Sequence, residues 1–373
     1  MNDHFLDKKL EDRKQADALR SLVINKDQIA LADFCSNDYL GMVKNKLIEN
    51  LVPSSLSHGS TGSRLLSGNY ALIEETEKQI ADFHDAEAGL IFNSGYDANT
   101  GLLSSVPQKG DTIIYDQLSH ASLRDGIRLS FATAFSFLHN DLKDLEKKLS
   151  SSDTNHQIFV VTESVFSMDG DLAPLHKIVD LCEKYNAALI VDEAHATGVI
   201  GTKGEGLVQK THLEKKCFAR IHTFGKACGT HGAIVLGSEK LKRYLINFSR
   251  QFIYSTALPP TSIEAISVSY KIFPSMEKER AHLKKLIRIF KEADLNCKIL
   301  PSDTPIQIAI IPGNEKVKKV AKTFRENNID IRAILYPTVP KGQERLRIVL
   351  HAFNSEEEVE EVIKILSGVV KSC

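Results

Sequence analysis

Four apolar segments of this 373-residue chain end in polar residues of the kinds that carry out catalysis. In open α/β sheets, ligands bind beyond the carboxyl ends of the strands, so residues that follow an apolar segment are candidates for a site. One polar strand end would carry little information, but four within one region predict a shared site. They are Asn93–Tyr96, Glu163–Ser167, Asp192–His195 and Thr223–Lys226.

Asp192 and Lys226 are the most informative of these residues. Asp192 directly follows the apolar run 187–191, at the mouth of a predicted buried strand. Asp192 could cap a turn or a helix, as most loop aspartates do. Alternatively, it could be a buried anion that pairs with a buried cation. Lys226 lies among glycines in an apolar stretch, and burial of a lysine favours the neutral amine that forms Schiff bases.

This pair predicts pyridoxal 5′-phosphate (PLP) as the cofactor. An aspartate keeps the pyridine nitrogen protonated, which makes the ring an electron sink, and a lysine holds the aldehyde and later moves protons. The segment Ser94–Tyr96 precedes a predicted helix, whose backbone N–H groups could bind the phosphate. His120 is a candidate to stack on the ring, although a lone histidine is more often structural.

Apolar segments alternate with amphipathic helices through the first two thirds of the chain. Runs such as Gln157–Thr162 and Ala187–Val191 are continuously apolar, and helical stretches such as Leu175–Tyr185 lie between them. This alternation predicts an α/β fold with a mostly parallel sheet covered on both faces.

Three parts are predicted along the chain. Residues 1–40 form an N-terminal arm that looks helical as far as residue 31, and residues 41–260 form the large cofactor-binding domain. After Pro259-Pro260 the pattern changes to charged helices and short strands, which predicts a smaller α+β domain over 261–373. Its last helix opens with a capping box, Ser355 to Glu358.

Composition narrows the class of protein. The formal net charge is −1 and no region is strongly basic, so we expect neither nucleic acid nor a membrane surface as a partner. No apolar run approaches the roughly 18 residues of a membrane span. The six cysteines are scattered without metal-ligand spacing, which indicates reduced thiols, and the first 20 residues lack the apolar core of a signal peptide. We therefore expect a soluble cytoplasmic protein without a metal.

The chain resembles the α-oxoamine synthases, a family of fold-type I PLP enzymes, over essentially its whole length. Taken together and in this order, the matching blocks are highly specific, although each alone would be weak. They are FCSNDYLG (34–41), GSTGSRLLSG (59–68), NSGYDAN (93–99), SHAS (119–122), ESVFSMDGDLAPL (163–175), VDEAHATGVIG (191–201), HTFGKACGTHGA (222–233) and YSTALPP (254–260).

The resemblance implies a role for each matching residue. Lys226, Asp192 and His120 would be the catalytic residues, as the cofactor's lysine, the partner of its nitrogen and the stacking ring. Arg347 would bind the carboxylate of the amino acid, and Arg20, Asn37 and Thr338 would also contact substrate. The remaining cofactor contacts would be Gly95, Tyr96, Glu163, Ser167, His195 and Thr223, with Ser255 and Thr256 reaching the phosphate of the other subunit in a homodimer.

Within the family, four features favour the member that joins L-alanine to a pimeloyl thioester, on CoA or a carrier protein, with loss of CO₂ in biotin biosynthesis. They are ADALR (16–20), TFGK (223–226), YSTALPP (254–260), and PTVP (337–340) followed by RLRIVL (345–350). Two stretches depart from the pattern. His351-Ala352-Phe353 stands where small polar residues are expected, and Cys228 is a local variant.

Three other interpretations compete with this one. The first is another α-oxoamine synthase that uses glycine or serine, of the 2-amino-3-oxobutyrate, 5-aminolevulinate or sphingoid-base type. The second is a catalytically silent relative, which the joint presence of the site residues opposes. The third is a DEAH-type NTPase, because residues 192–195 spell that string, but it requires an upstream phosphate-binding loop. The nearest match, Gly204–Thr211, lies downstream and has Gln209 in place of the second glycine.

Overall fold

The computed structural model describes residues 3–22 and 31–371. The chain divides into two compact units. The larger comprises Asp38–Ser167 and Leu172–Arg280, and the smaller comprises the described parts of residues 1–37, 168–171 and 281–373.

A seven-stranded sheet forms the centre of the larger unit. Six strands run in one direction, and Ala233–Gly237 is antiparallel to both of its neighbours. The predicted mostly parallel sheet is thus confirmed. In spatial order the strands are Ala88–Phe92, Ala233–Gly237, Ala219–Thr223, Ala187–Asp192, Ile158–Glu163, Thr112–Asp116 and Thr133–Phe137.

The central strands are buried along their whole length because both of their faces are covered. Every residue of Ile158–Glu163 and of Ala219–Thr223 is buried, whereas the edge strand Thr133–Phe137 buries only Phe137. Covering both faces is what parallel sheets require. The helices of this unit are Ala71–Phe83, Gly95–Ser105, Ala121–Leu129, Leu142–Ser150, Leu175–Lys184, Leu207–Lys210, Glu239–Phe248, Arg250–Ile253 and Pro260–Ile272.

The smaller unit contains an antiparallel four-stranded sheet and a parallel strand pair, Ala32–Asp33 with Ile329–Asp330. The four strands, in spatial order, are Arg332–Ile334, Arg345–Val349, Ile306–Ile310 and Lys298–Leu300. Its helices are Asp7–Gln15, Asn314–Glu326 and Glu356–Lys371, and the chain enters this unit within the helix Glu277–Glu292. The predicted capping box is confirmed, since Ser355 and Glu358 exchange backbone-to-side-chain hydrogen bonds of 3.0 and 3.1 Å.

The boundaries of the units differ from the predicted ones for identifiable reasons. The helix Pro260–Ile272 belongs to the larger unit because it packs against Ala71–Phe83. Residues 1–37 belong to the smaller unit, where Ala32–Asp33 pairs with Ile329–Asp330. The helix of the N-terminal arm ends at Gln15 rather than near residue 31, and residues 23–30 of that predicted arm lie outside the described residues.

Two features are absent from the described residues. No helix among them is long and apolar enough to cross a membrane. Within the same residues, no group of three or more His, Cys, Asp or Glu side chains is placed to hold a metal ion.

Candidate active site

The ends of the central strands bring the predicted cofactor residues of the larger unit together. Glu163 and Asp192 are partners in register at the ends of adjacent parallel strands. Thr223 ends the next strand, which pairs with the strand of Asp192. His120 joins them from the helix Ala121–Leu129, because its backbone N–H donates to Oε1 of Glu163 at 2.6 Å.

The carboxylate of Asp192 is buried and held at both oxygens. The residue is 4% exposed. Its Oδ1 accepts the backbone N–H of Ala194 at 2.8 Å, and its Oδ2 accepts Nδ2 of Asn99 at 2.7 Å. The amide of Asn99 also donates to Oγ of Ser122 at 2.9 Å. A turn cap alone would explain only the bond to Ala194, so the bond from Asn99 indicates a carboxylate oriented for a further purpose.

Asn99 was not among the predicted site residues. It occupies the last position of the block NSGYDAN and lies one helical turn after Gly95, so it points from the same helix that begins at the site. Helical spacing from Gly95 was the signal that could have identified it.

Glu163 lies in surroundings that disfavour its charged form. Burial first, and then the neighbouring negative charge of Asp192, raise the pKa of Glu163 well above its usual range. Two adjacent buried carboxyl groups share one proton more readily than they ionise together. Its position beside Asp192 in the buried site therefore favours the protonated form of Glu163.

His120 presents a neutral ring to this site. Burial first, and then the charge of Lys226, lower its pKa from the usual value, against the opposing effect of Asp192. Its Nδ1 accepts the backbone N–H of Ser122 at 3.2 Å, which makes His120 the N-cap of its helix. The ring is thereby fixed with its hydrogen on Nε2.

Thr223, which Lys226 contacts, lies next to the start of the helix Gly95–Ser105. Nζ of Lys226 donates to Oγ1 of Thr223 at 3.4 Å. The helix Gly95–Ser105 starts beside Thr223, and a Cβ on Gly95 would lie 2.5 Å from Cγ2 of Thr223. A side chain at position 95 would collide with Thr223, so the glycine permits this approach, and the start of the helix lies next to Thr223. This arrangement is suited to a phosphate.

The other predicted cofactor residues of the larger unit lie on the surrounding loops. His195 is buried, and its Nδ1 lies 2.7 Å from the hydroxyl of Tyr39. Tyr39 belongs to the matching block 34–41, but no role was predicted for it from the sequence. Ser167 is half-buried at the end of the segment that Glu163 begins. Tyr96 is exposed, and its hydroxyl bonds Asp125.

Ser255 and Thr256 lie on a loop that crosses the glycine-rich segment 59–68. Thr256 forms a β-bridge with Ser63, and its carbonyl accepts Nδ2 of Asn93 at 2.9 Å. Ser255 and Thr256 line a small cleft together with Asn93 and Arg64.

The four predicted substrate residues lie in the smaller unit as two hydrogen-bonded pairs. Nη2 of Arg347 donates to Oδ1 of Asn37 at 2.9 Å. Nη2 of Arg20 donates to Oγ1 of Thr338 at 3.0 Å. Each pair joins residues that are far apart in sequence.

The DEAH string does not form a paired-carboxylate site. Glu193 is buried away from Asp192 and accepts the backbone N–H groups of Leu207 and Val208 at 3.0 and 3.2 Å, so it caps a short helix. Burial raises the pKa of Glu193 to about 7, against these hydrogen bonds and the charge of Arg220. This geometry opposes the NTPase interpretation.

The residues present fit PLP. Asp192 offers a buried carboxylate for a cationic ring nitrogen, Lys226 offers an amine, and the helix start at Gly95 with Thr223 offers phosphate donors. A seven-stranded sheet with these groups at its strand ends defines a fold-type I PLP-dependent transferase.

Comparison with known proteins identifies the family. The model of the aminotransferase class I and II family matches residues 29–366, and the chain belongs to that family, among the α-oxoamine synthases. It is 40% identical over 363 residues to 8-amino-7-oxononanoate synthase of Emericella nidulans. This alignment covers 90% of this chain and 88% of that protein.

Two solved structures are similar to the fold. Serine palmitoyltransferase of Sphingomonas wittichii has a TM-score of 0.91 at 26% identity, covering 100% of this chain and 99% of that one. The 8-amino-7-oxononanoate synthase of Francisella tularensis has a TM-score of 0.79 at 29% identity, covering 92% and 99%. The predicted family and fold class are confirmed.

We expect Asn99→Ala to lower the free energy of unfolding by about 1–3 kcal/mol, because the buried carboxylate of Asp192 loses a donor. Denaturant unfolding of the cofactor-free protein measures this. The matched control is Asn155→Ala, whose exposed amide contacts only Asp153 among the described bonds. Equal effects of the two substitutions would contradict the assigned role of Asn99.

Proposed function

We propose that this enzyme condenses L-alanine with a pimeloyl thioester, releasing CO₂ and the free thiol, to give 8-amino-7-oxononanoate for biotin biosynthesis. The observation that carries the chemistry is the buried carboxylate of Asp192, oriented by Asn99 and next to the strand that leads to Lys226. The choice of substrate is supported by the relative from Emericella nidulans, named for this reaction, and by the segments 337–340 and 345–350.

Each site residue then has a task. When bound, PLP supplies the electron sink for the carbanion at Cα of the amino acid. Asp192 would hold the cationic nitrogen of the ring, and His120 would stack on the ring. Thr223 and the helix start at Gly95 would hold the phosphate. Lys226 holds the cofactor and moves the proton at Cα of the substrate.

The carboxylate of the amino acid binds to Arg347. A guanidinium binds a carboxylate through two parallel hydrogen bonds, which fixes its orientation as well as its position. Asn37 already holds one nitrogen of Arg347 and thereby restricts its rotation. Arg20 and Thr338, as a second bonded pair, contact the substrate alongside it.

The active enzyme is a homodimer in this proposal, in which Ser255 and Thr256 reach the phosphate of the other subunit. Two exposed apolar side chains lie on the segments that carry these residues: Tyr254, directly before Ser255, is 72% exposed, and Leu66, on the segment that Thr256 bridges, is 85% exposed. Clustered exposed apolar residues are typical of protein interfaces.

The proposal also places the enzyme in the cytoplasm. Cys35, Cys182, Cys217, Cys228 and Cys297, which are the cysteines within the described residues, are free thiols, as expected in a reducing compartment.

We expect borohydride treatment of the PLP-loaded protein to fix the cofactor covalently to Lys226. The amine of Lys226 is next to Thr223 at the site, so it is the lysine that reaches the aldehyde. Peptide mass spectrometry locates the label, with Lys226→Ala as the control. A label on another lysine, or an unchanged label in the control, would refute the cofactor assignment.

Mass spectrometry of products tests the substrate assignment. L-alanine, glycine and L-serine are each offered with pimeloyl-CoA, a pimeloyl carrier protein, acetyl-CoA, succinyl-CoA and palmitoyl-CoA. We expect 8-amino-7-oxononanoate from L-alanine and a pimeloyl thioester as the dominant product, and the two pimeloyl arms identify the carrier. The similarity to serine palmitoyltransferase favours serine with palmitoyl-CoA as the second candidate. Dominant turnover of that pair would replace the proposal.

A further inference from the structure

His351 is a fully buried histidine at the point where the sequence departs from its family. It follows the strand Arg345–Val349 and is 0% exposed. Its Nε2 lies 3.0 Å from the carbonyl oxygen of Ser36 and 3.1 Å from its Oγ. A carbonyl oxygen only accepts, so Nε2 carries a hydrogen and donates it to Ser36.

The ring of His351 is held in this orientation from other sides. Its Nδ1 lies 3.1 Å from Oδ1 of Asn354, which also accepts the backbone N–H of His351 at 2.9 Å. Asn354 is itself fixed, because its Nδ2 donates to the carbonyl of Asp33 at 3.1 Å. The ring stacks on Phe353 with a centroid distance of 4.6 Å and an interplanar angle of 11°. His351 is therefore a rigid donor.

The residue that receives this hydrogen bond precedes Asn37. The backbone N–H of Ser36 donates to Oδ1 of Asp33 at 2.9 Å, so both backbone groups of Ser36 are bound. Oδ1 of Asn37 in turn accepts Nη2 of Arg347 at 2.9 Å. A continuous path of contacts thus runs from His351 through Ser36 and Asn37 to Arg347, all within the smaller unit.

We propose that His351 is a positioning residue that fixes the segment Ser36-Asn37 and so aims Arg347 at the carboxylate of the amino-acid substrate. This inference rests on the proposed function, in which Arg347 binds that carboxylate. The small polar side chain expected at position 351 is too short to hold the carbonyl of Ser36 as the imidazole does. The departure from the family pattern at position 351 thus contributes to binding of the amino acid.

A pair of substitutions separates the bond to Ser36 from the bond to Asn354. The amide nitrogen of a glutamine reaches about as far as Nε2, and that of an asparagine only about as far as Nδ1. We expect His351→Asn to raise the Kd for L-alanine about 5-fold to 10-fold, the loss of one buried hydrogen bond. His351→Gln should stay within about 2-fold of the parent.

The Kd is measured by absorbance titration of the PLP-loaded enzyme with L-alanine, and kcat is measured at saturating substrate. We expect kcat of His351→Asn to change less than about 2-fold, because the reacting atoms are untouched. A purely structural role would instead lower the fraction of folded enzyme and leave the Kd of the folded part at the parent value. Equal Kd values for His351→Asn, His351→Gln and the parent would overturn the inference. Where His351→Asn does not fold, His351→Thr takes its place in the comparison.

A double-mutant cycle tests whether His351 acts through Asn37. In an Asn37→Ala background, His351→Asn should have little further effect on the Kd, because the path to Arg347 is already broken. Full additivity of the two effects would overturn the inference. Arg347→Lys distinguishes it from the proposed function: unchanged alanine binding in Arg347→Lys refutes the carboxylate role of Arg347. Weaker binding in Arg347→Lys with parent-like binding in His351→Asn refutes only the role of His351.

Discussion

The burial of the Asp192 carboxylate is the constraint on which the rest of the site depends. A buried unpaired carboxylate costs several kcal/mol, and its neighbour Glu163 would double that cost if both were ionised. Burial and the neighbouring charge raise the pKa of Glu163, which favours its protonated form, and Asp192 accepts the N–H of Ala194 and the amide of Asn99. A cationic cofactor nitrogen would neutralise the carboxylate of Asp192. The groups that stabilise this buried carboxylate in the fold therefore also orient it toward such a ligand.

The close approach of the start of one helix to the end of a strand is the second requirement. Asn99 reaches Asp192 only because its helix begins directly beside the strand of Thr223, and Gly95 permits that approach. The one helix therefore offers N–H groups for a phosphate at its start and orients the carboxylate one turn later. In the smaller unit, one segment likewise has two contacts. His351 binds Ser36 in this segment, and the next residue, Asn37, binds Arg347.

The sequence predicted the parts of the site that depend on position along a strand. The apolar run 187–191 located the strand end that Asp192 follows, and Lys226 comes shortly after the neighbouring strand Ala219–Thr223, which ends at the same edge of the sheet. Asn99 and His351 could not be predicted in the same way, because their bonds join residues 93 and 315 positions apart through packing of separate elements. The N-terminal arm was overextended for a local reason: the chain leaves helical geometry at Asp17, whose φ is +51°.

The most direct test of this account is the rate at which the enzyme exchanges the Cα hydrogen of L-alanine with D₂O, followed by NMR without any thioester. In Asp192→Asn the shape of the side chain is retained and its charge is lost. We predict that the exchange rate falls about 100-fold or more, as for other lost stabilisers of developing charge. PLP should remain bound and the melting temperature should stay close to that of the parent. Exchange at the parent rate would show that Asp192 only caps a turn and would contradict the account.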